Sequence, residues 1–400
     1  MSWQRSTAAL IAAATTVFAP GAPAAADPTG SMTAAYTFLD QMMDQHATGS
    51  TLRLPQSFTG GYLQKVGYTD SVTYDDALVV DALLARGTTD DLSRARVLGN
   101  ALLYMQANDA KKDGRIRAAY APNPLTSPSK IDATDATSDV GNMAWVGQAL
   151  VQLYGATGDA DYLNGATKIG TWIQTNAVDT RGHGGYTGGF DDKNTKITWK
   201  STEHNLDVYA LFSMLATATG NATWTTRAAA AHTFVVSMWD SVKHLFWTGT
   251  GTDGTTTNTD FIPEDTQTWS YLALKDPAYA SSIDYAIAKL KVTDGAFTGV
   301  SFSSSDRTKV WFEGTAHLAD ALEFRAGSGD AAKATAYTNN IELAQTTAPN
   351  NDRQGIVAAS HDGLKTGDGD KYYASLHTGA TAWYLLALRK VDPFYPITVG

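Results

Sequence analysis

The sequence contains no cysteine, which excludes disulfides, thiolate metal sites and cysteine nucleophiles. It is also short of positive charge. There are 30 Lys and Arg against 40 Asp and Glu, a formal net charge of −10, and the cations form no run. That balance disfavours nucleic acid and anionic membranes as partners, and mildly disfavours a strongly anionic polymer as ligand. No apolar stretch is long enough to span a bilayer. The 8 histidines contain no His-x-x-x-His pair, so no helical metal site is expected. The absence of Gly-x-Ser-x-Gly argues against a serine esterase. No Pro- or Ser-rich linker divides the chain, so residues 27–400 are expected to form one domain, a monomer without metal or cofactor.

What is present begins with Met-Ser-Trp-Gln-Arg5, an apolar small-residue stretch over 8–18, and Ala22-Pro-Ala-Ala-Ala26 before Asp27. A basic start, a short apolar segment and a small-residue cleavage site read as a secretory signal peptide over residues 1–26. The expected location is therefore secreted or periplasmic.

Further on, an aromatic- and carboxylate-bearing cluster opens an apolar, Ala/Leu-rich helix at intervals of roughly sixty residues. The clusters are Thr73-Tyr-Asp-Asp-Ala-Leu78, Asp139-Val-Gly-Asn-Met-Ala-Trp145, Ser201-Thr-Glu-His-Asn-Leu-Asp207, Glu264-Asp-Thr-Gln-Thr-Trp269, Trp311-Phe-Glu-Gly-Thr-Ala-His317 and His377-Thr-Gly-Ala-Thr-Ala-Trp383. Each helix pairs with a second across a short turn such as Gly87-Thr-Thr, Thr157-Gly-Asp or Thr219-Gly-Asn. Short turns make antiparallel neighbours. The expected pairs are 71–86 with 90–106, 139–154 with 159–176, 202–219 with 222–242, 264–274 with 279–291 and 313–325 with 330–347. The last helix, 377–390, would pair with 33–46 at the other terminus. First members are apolar all round, as buried helices are, and second members carry a polar face. Six inner and six outer helices in alternation describe an all-α, closed (α/α)6 toroid. An open solenoid would instead call for near-identical repeats and polar caps. Long loops at 109–138, 177–201, 243–263, 292–310 and 348–376 would all lead to the face where the inner helices begin.

That face gathers helix N-termini and is the expected binding mouth. Two adjacent acids, Asp75 and Asp76, exceed what capping needs. Glu203, His204, Asn205 and Asp207 form the densest polar cluster on a buried helix, and must pair with one another or face a cavity. Glu313 lies between aromatics and a glycine, where desolvation would raise its pKa as a general acid requires. Of Glu264 and Asp265, one is expected to cap its helix, and Asp139 likewise. Asp75, Asp76, Glu203 and Glu313 are thus the catalytic candidates. The Gly-rich segment 182–190 reads as a mouth-lining loop carrying Tyr186 and Phe190. Trp145, Trp199, Trp269, Trp311 and Trp383 lie at or beside the helix starts, where flat rings could stack on sugars. Tyr74, Tyr186, His204, Asn142, Asn205, Gln267 and His377 complete the expected substrate-binding set.

The chain resembles the bacterial six-hairpin glycosidases. The likeness rests on Thr73-Tyr-Asp-Asp-Ala-Leu78, Trp199-Lys-Ser-Thr-Glu-His-Asn-Leu-Asp207, Trp311-Phe-Glu-Gly-Thr315, Gly379-Ala-Thr-Ala-Trp383 and Asp392-Pro-Phe. It implies a pair of carboxylates that cleave a glycosidic bond, one acid and one base or nucleophile; with the charge balance, the expected substrate is a neutral or weakly charged poly- or oligosaccharide. Glu313 or Glu203 would be the acid, and Asp75 or Asp76 the base or a sugar anchor, with inversion preferred. Two other functions stay open on this fold. One is a polysaccharide lyase using His204 or Tyr209 as base, with Arg115, Arg117 or Lys200 neutralising a uronate. The other is a non-catalytic glycan-binding toroid.

Overall fold

The computed structural model describes residues 28–123, 125 and 133–400; the expected signal peptide lies outside them. The helices in chain order are α1 (Pro28–Asp44), the short α2 (Gly61–Lys65), α3 (Thr73–Arg86), α4 (Thr89–Asn108), α5 (Val140–Thr157), α6 (Ala160–Asn176), α7 (Thr202–Thr219), α8 (Ala222–Ser237), α9 (Asp265–Leu274), α10 (Ser281–Tyr285), α11 (Phe312–Arg325), α12 (Asp330–Thr347) and α13 (Thr378–Arg389). No described helix is long and apolar enough to cross a membrane.

Helices α3, α5, α7, α9, α11 and α13 form an inner ring. Each packs on the next, and α13 packs on α3 to close the circle. The outer layer is α4, α6, α8, α10 and α12, each against its own inner partner, with α1 against α13. The toroid expected from the repeat is therefore present, including the pairing of the two termini. Local signals set the hairpins. Thr88 and Asp91 exchange side-chain and backbone hydrogen bonds in a capping box at the start of α4. Gly158 and Gly220 take left-handed φ values of 70° and 64° just past α5 and α7, a conformation that costs glycine least.

The seam is fastened by α1. Ser31 Oγ donates to Gln345 Oε1 of α12 at 2.6 Å and lies 2.7 Å from Tyr384 Oη of α13. On its other side, Asp40 and Asp44 meet Arg86 and Arg94 of α3 and α4 at 3.5 and 2.9 Å.

Two features depart from the sequence pattern. The fourth outer element, the partner of α9, is broken into a 3-10 turn (Pro277–Tyr279), α10 and a wide turn (Ala286–Leu290). Its inner partner α9 stops early at Lys275, in left-handed conformation with φ 49°, so a full outer helix has little to pack on. The long loops, in turn, carry short antiparallel strands rather than coil. The residues leading into the inner helices are clipped to neighbouring loops: Val72 pairs Ala119, Asp139 pairs Gly189, Ser201 pairs Gly249, Pro263 pairs Ser303, Trp311 pairs Val300 and His377 pairs Phe58 and Ile356. This girdle places all six inner-helix starts at one face.

Aromatic rings plug the middle of the inner ring. Trp145, Trp269 and Trp383 lie with centroids 5.3–5.9 Å apart, and Phe394 from the C-terminal segment packs on the first two at 5.2 and 5.5 Å.

Candidate active site

At the girdled face a cleft of about 590 Å³ opens between α7 and the following loops, lined among others by Trp199, Glu203, His204, Phe261, Phe302, Asp368 and Asp370. Ser201 caps α7 by accepting from the His204 N–H at 3.3 Å, which frees Glu203 to project from the first turn. The Glu203 carboxylate has no hydrogen bond or ion pair among the described residues. Burial pushes its pKa well above the ordinary value, helped by the facing carboxylates of Asp265, Asp207 and Asp139 and by Asp368 at the rim. Asp265, nearly buried at the start of α9, is raised to about 7, by burial first and by Glu264 next. Asp207 lies one turn below Glu203 on the same face of α7. It is fully buried, and its pKa is also pushed well up by burial, Asp265 and Asp139; the Trp145 indole N–H partly offsets this, although neither carboxylate oxygen makes a well-formed hydrogen bond.

Beside these acids, a chain of alternating carboxylates and imidazoles crosses four inner helices. His317 of α11 lies 3.4 Å from Glu264 and 3.7 Å from Glu313. His377, at the start of α13, lies 3.4 Å from Glu313 and 3.2 Å from Asp75 of α3. Tyr74 donates to Glu313 Oε1 at 2.7 Å and accepts from Trp383 Nε1 at 2.7 Å. All four inner-helix starts meet closely here. A Cβ placed on Gly379 would lie 2.4 Å from Asp75 Oδ1, so only glycine admits the Asp75–His377 pair.

Charge is therefore organised in two zones. Burial opposes ionisation of Glu313 but is outweighed by His317, His377 and the Tyr74 hydroxyl, so its pKa is lowered. This corrects the expectation that its aromatic setting would raise it: the flanking imidazoles, not Trp311 and Phe312, decide. Burial likewise opposes protonation of His317 and His377, and is outweighed by their carboxylates, so both pKa values are raised. Tyr372 sits over the junction of the zones. Its phenol is held well above its ordinary pKa by burial, then by Glu313, Asp75, Glu203 and Asp265, and its ring packs on Phe302 and Trp311 at 5.7 and 5.8 Å.

The expected residues divide sharply. Glu203, His204 and Trp199 line the cleft. Asp75, Glu313, His377 and Tyr74 meet in the buried chain just described. Asp76 is turned away, accepting from Ser71 Oγ at 2.8 Å, and burial pushes its pKa well up. Trp145, Trp269 and Trp383 are core, and Trp311 is buried against Phe302 and Tyr372. Tyr186 is buried with its hydroxyl bonded to Gln174 of the outer layer, so it does not line the mouth. Gln267 and Asn205 spend their amides on backbone groups of Phe246, Pro263, Tyr186 and Ser201. Asn142 is half-buried and reaches the carbonyl of Ala118 at 3.4 Å. Asp139 caps α5, as expected, accepting from Gly141 and Asn142 N–H. Of the two acids at the start of α9, Glu264 makes no side-chain cap and turns to His317, whereas Asp265 accepts from the Thr266 N–H of the first turn. The lyase set is not assembled. Arg115 is bonded to Asp113, Arg117 to Asp109 and Lys200 to backbone carbonyls, while Tyr209 lines grooves with Ser213 and Thr217, away from the cleft.

Sequence reasoning gave Glu264 and Asp265 a capping role only, placed Asp207 in a polar cluster without a function, and passed over His317, Asp368, Asp370 and Tyr372. For His317 a signal existed, since it stands four residues after Glu313 and so shares its helix face. For Tyr372 there was none, because its place depends on how a long loop folds back.

The shifts give stability a definite pH dependence. For Asp265, raised to about 7, and Asp392, raised to about 6, the stabilisation is fully present below the unfolded pKa of about 4 and is lost as pH rises through the folded value. His317 and His377 act in the same direction above about 6.5. Glu313 acts oppositely, and its contribution is lost only as pH falls below about 4.3 toward its lowered value. The midpoint of thermal unfolding is therefore expected to fall steadily from pH 5 to pH 8; a flat or rising midpoint would contradict these assignments.

No family model matches the sequence, and no curated protein matches it. Among solved structures, the chain is similar to a D-mannose isomerase (TM-score 0.66, 12% identity, 91% of this chain and 96% of that one). It is similar to a family 76 glycoside hydrolase, a mannosidase, from Bacteroides thetaiotaomicron (0.63, 12%, 90% and 98%). It is also similar to cellobiose 2-epimerase from Bacillus thermoamylovorans (0.62, 13%, 87% and 98%). At these identities the likeness establishes the fold, a closed (α/α)6 toroid, and leaves the reaction to the site.

Proposed function

We propose that this toroid is an exported enzyme that hydrolyses the glycosidic bonds of a poly- or oligosaccharide. Glu203 is the general acid and Asp265 the general base that activates water. The observation that carries this reading is the pair itself: Glu203 on the cleft wall, pushed toward its protonated form, and the buried Asp265 at the start of α9, whose charge acts on it, poised near 7. Carboxyls whose environments push their pKa values apart divide acid and base roles between them. An inverting mechanism would place the attacking water at the base, between carboxyls roughly 6.5–9.5 Å apart. His317 offsets part of the charge at Asp265, while Glu264 and Glu313 add to it.

Similarity to an isomerase and an epimerase calls for a second reading, in which an imidazole abstracts a proton next to a carbonyl. His317 and His377 are the candidates. Both are buried between carboxylates and favour the protonated form, which has no lone pair to act as base. Hydrolysis is therefore the better supported. The test is product analysis by NMR in D2O over a panel of glycans. Hydrolysis yields new reducing ends with no deuterium on carbon. Deuterium at C2, or an unsaturated product absorbing in the ultraviolet, would assign epimerisation or elimination instead.

A further inference from the structure

An aromatic pair lies open in the loops that lead into α3 and α13. Of the five large apolar side chains exposed among the described residues, Tyr62 at 40% and Val66 at 57% stand four positions apart, in and just past the short α2, and so on one side of it. The Tyr62 ring stacks on that of Tyr373, with centroids 4.2 Å apart and planes 18° from parallel. Tyr373 covers one face of Tyr62, so the exposure falls on its outer face and edge. Exposed apolar residues scattered singly need no explanation, but a contiguous patch marks a contact. Gln64, Lys65 and Lys371 stand exposed around it.

The pair is fixed in place. Gly61, at φ 57°, lets α2 press so closely on the 373–375 segment that a Cβ would lie 2.7 Å from the Ala374 carbonyl oxygen. Ser375 Oγ donates to the Gly60 carbonyl at 3.0 Å and accepts from the Leu63 N–H at 3.4 Å. Asn350 Nδ2 donates to the same Ala374 oxygen at 2.7 Å. Little freedom is then lost when a ligand settles on the rings. The pair also adjoins the cleft. Residues 364–365 pair with 371–372 in a hairpin, whose turn places Asp368 and Asp370 on the cleft wall. Neighbours in an extended chain face opposite ways. Tyr372 turns inward onto Phe302 and Trp311, and Tyr373 turns outward to Tyr62. Three residues span at most about 11 Å, so the Tyr373 Cα stands no farther than that from the Asp370 Cα.

We propose that Tyr62 and Tyr373 form a second carbohydrate site, outside the cleft, where the outer ring stacks on the C–H face of a neutral pyranose in the polymer whose bond is cut within. This goes beyond the hydrolase reading and rests on it for the choice of a glycan. A flat apolar ring with a polar hydroxyl at its edge suits a sugar, which is likewise apolar on its face and polar at its rim. A stable protein partner would cover about 800 Å², more than two partly exposed rings and a valine present. A chain held here lies across the hairpin, and its next bond is kept at high effective concentration in the cleft.

The experiment is affinity electrophoresis of wild type, Tyr62→Ala and Tyr62→Trp through gels containing mannan, xylan, amylose or mixed-linkage β-glucan. Reducing-end release is measured on the same polymers, and nitrophenol release on the matching nitrophenyl monosaccharides, which fill the cleft alone. At least one polymer should retard the wild type. Tyr62→Ala, still folded by circular dichroism, should weaken that binding about tenfold and raise KM for the polymer to match, with less than about a twofold change for the monosaccharide. Tyr62→Trp keeps a flat ring and should bind at least as tightly as the wild type. Retardation by none of the polymers, equal retardation of wild type and Tyr62→Ala, or a loss with Trp as large as with Ala overturns the proposal. So does a dimer that Tyr62→Ala converts to monomer with glycan binding unchanged, which assigns the pair to contact between copies. The two readings fail separately. Retardation lost in Tyr62→Ala with no bond cut in any polymer supports the second site and removes the hydrolase. Cleavage with the same KM in all three proteins leaves the hydrolase standing and removes the second site.

Discussion

Glu203→Gln should lower the rate of glycan hydrolysis by about 10³-fold, within the range general acid–base groups supply, while leaving thermal stability unchanged or slightly raised. Both halves follow from its surroundings. Burial and four neighbouring acids keep the Glu203 carboxyl protonated, and Gln matches that neutral form in shape and as a hydrogen-bond donor, so folding loses nothing. Catalysis loses the one proton that can be given to the leaving oxygen. An aryl glycoside with a good leaving group needs little protonation and should recover much of the lost rate. Loss of activity together with loss of fold, or full activity, would remove Glu203 from the acid role. The pH profile supplies a second check. Wild-type activity should rise through about pH 7 as Asp265 ionises, and Asp265→Asn should abolish that rise.

The second large effect concerns stability. Glu313→Gln should destabilise the fold by about 3–5 kcal/mol, the usual cost of removing one partner from a buried ionic cluster. Glu313 stands between two buried imidazoles, 3.7 Å from His317 and 3.4 Å from His377. Without its charge each keeps a single carboxylate, and both must shed a proton or remain poorly compensated. Denaturant unfolding at pH 6 measures the effect, and a change below about 0.5 kcal/mol, as for an ordinary surface site, would show that the chain is not ionic. Tyr74→Phe, which removes the hydrogen bond to Glu313 and the one accepted from Trp383 Nε1 but leaves the Glu313 charge in place, should cost less, about 1–3 kcal/mol.

The ring was legible in the sequence because its signals are local. Apolar runs stopped at Gly87, Gly158 and Gly220 fix hairpins, and a repeated period fixes how hairpins stack. Even the pairing of α1 with α13 followed from counting partners. The site was legible only in part, since a residue's position relative to a helix start decides which way it points, and that is a matter of a few residues. Trp199 precedes α7 and reaches the cleft. Trp145, Trp269 and Trp383 lie a turn or more inside their helices, so their rings fill the barrel. Asp75 and Asp76 are neighbours in sequence, yet the helix sends one toward His377 and the other toward Ser71. Glu313 was found for its aromatic neighbours, but its ionisation is set by His377 from another helix and by His317 one turn on. Tyr372, Asp368 and Asp370 come to the mouth through a loop whose path no periodicity encodes.

Reducing-end release from a glycan panel, by wild type, Glu203→Gln and Asp265→Asn side by side at pH 7.5, is the most direct test. Carboxylate-driven hydrolysis should give release by the wild type and a fall of about 10²–10⁴-fold in each variant, with both variants still folded by circular dichroism. Release undiminished in both folded variants would contradict the assignment of the chemistry to this pair.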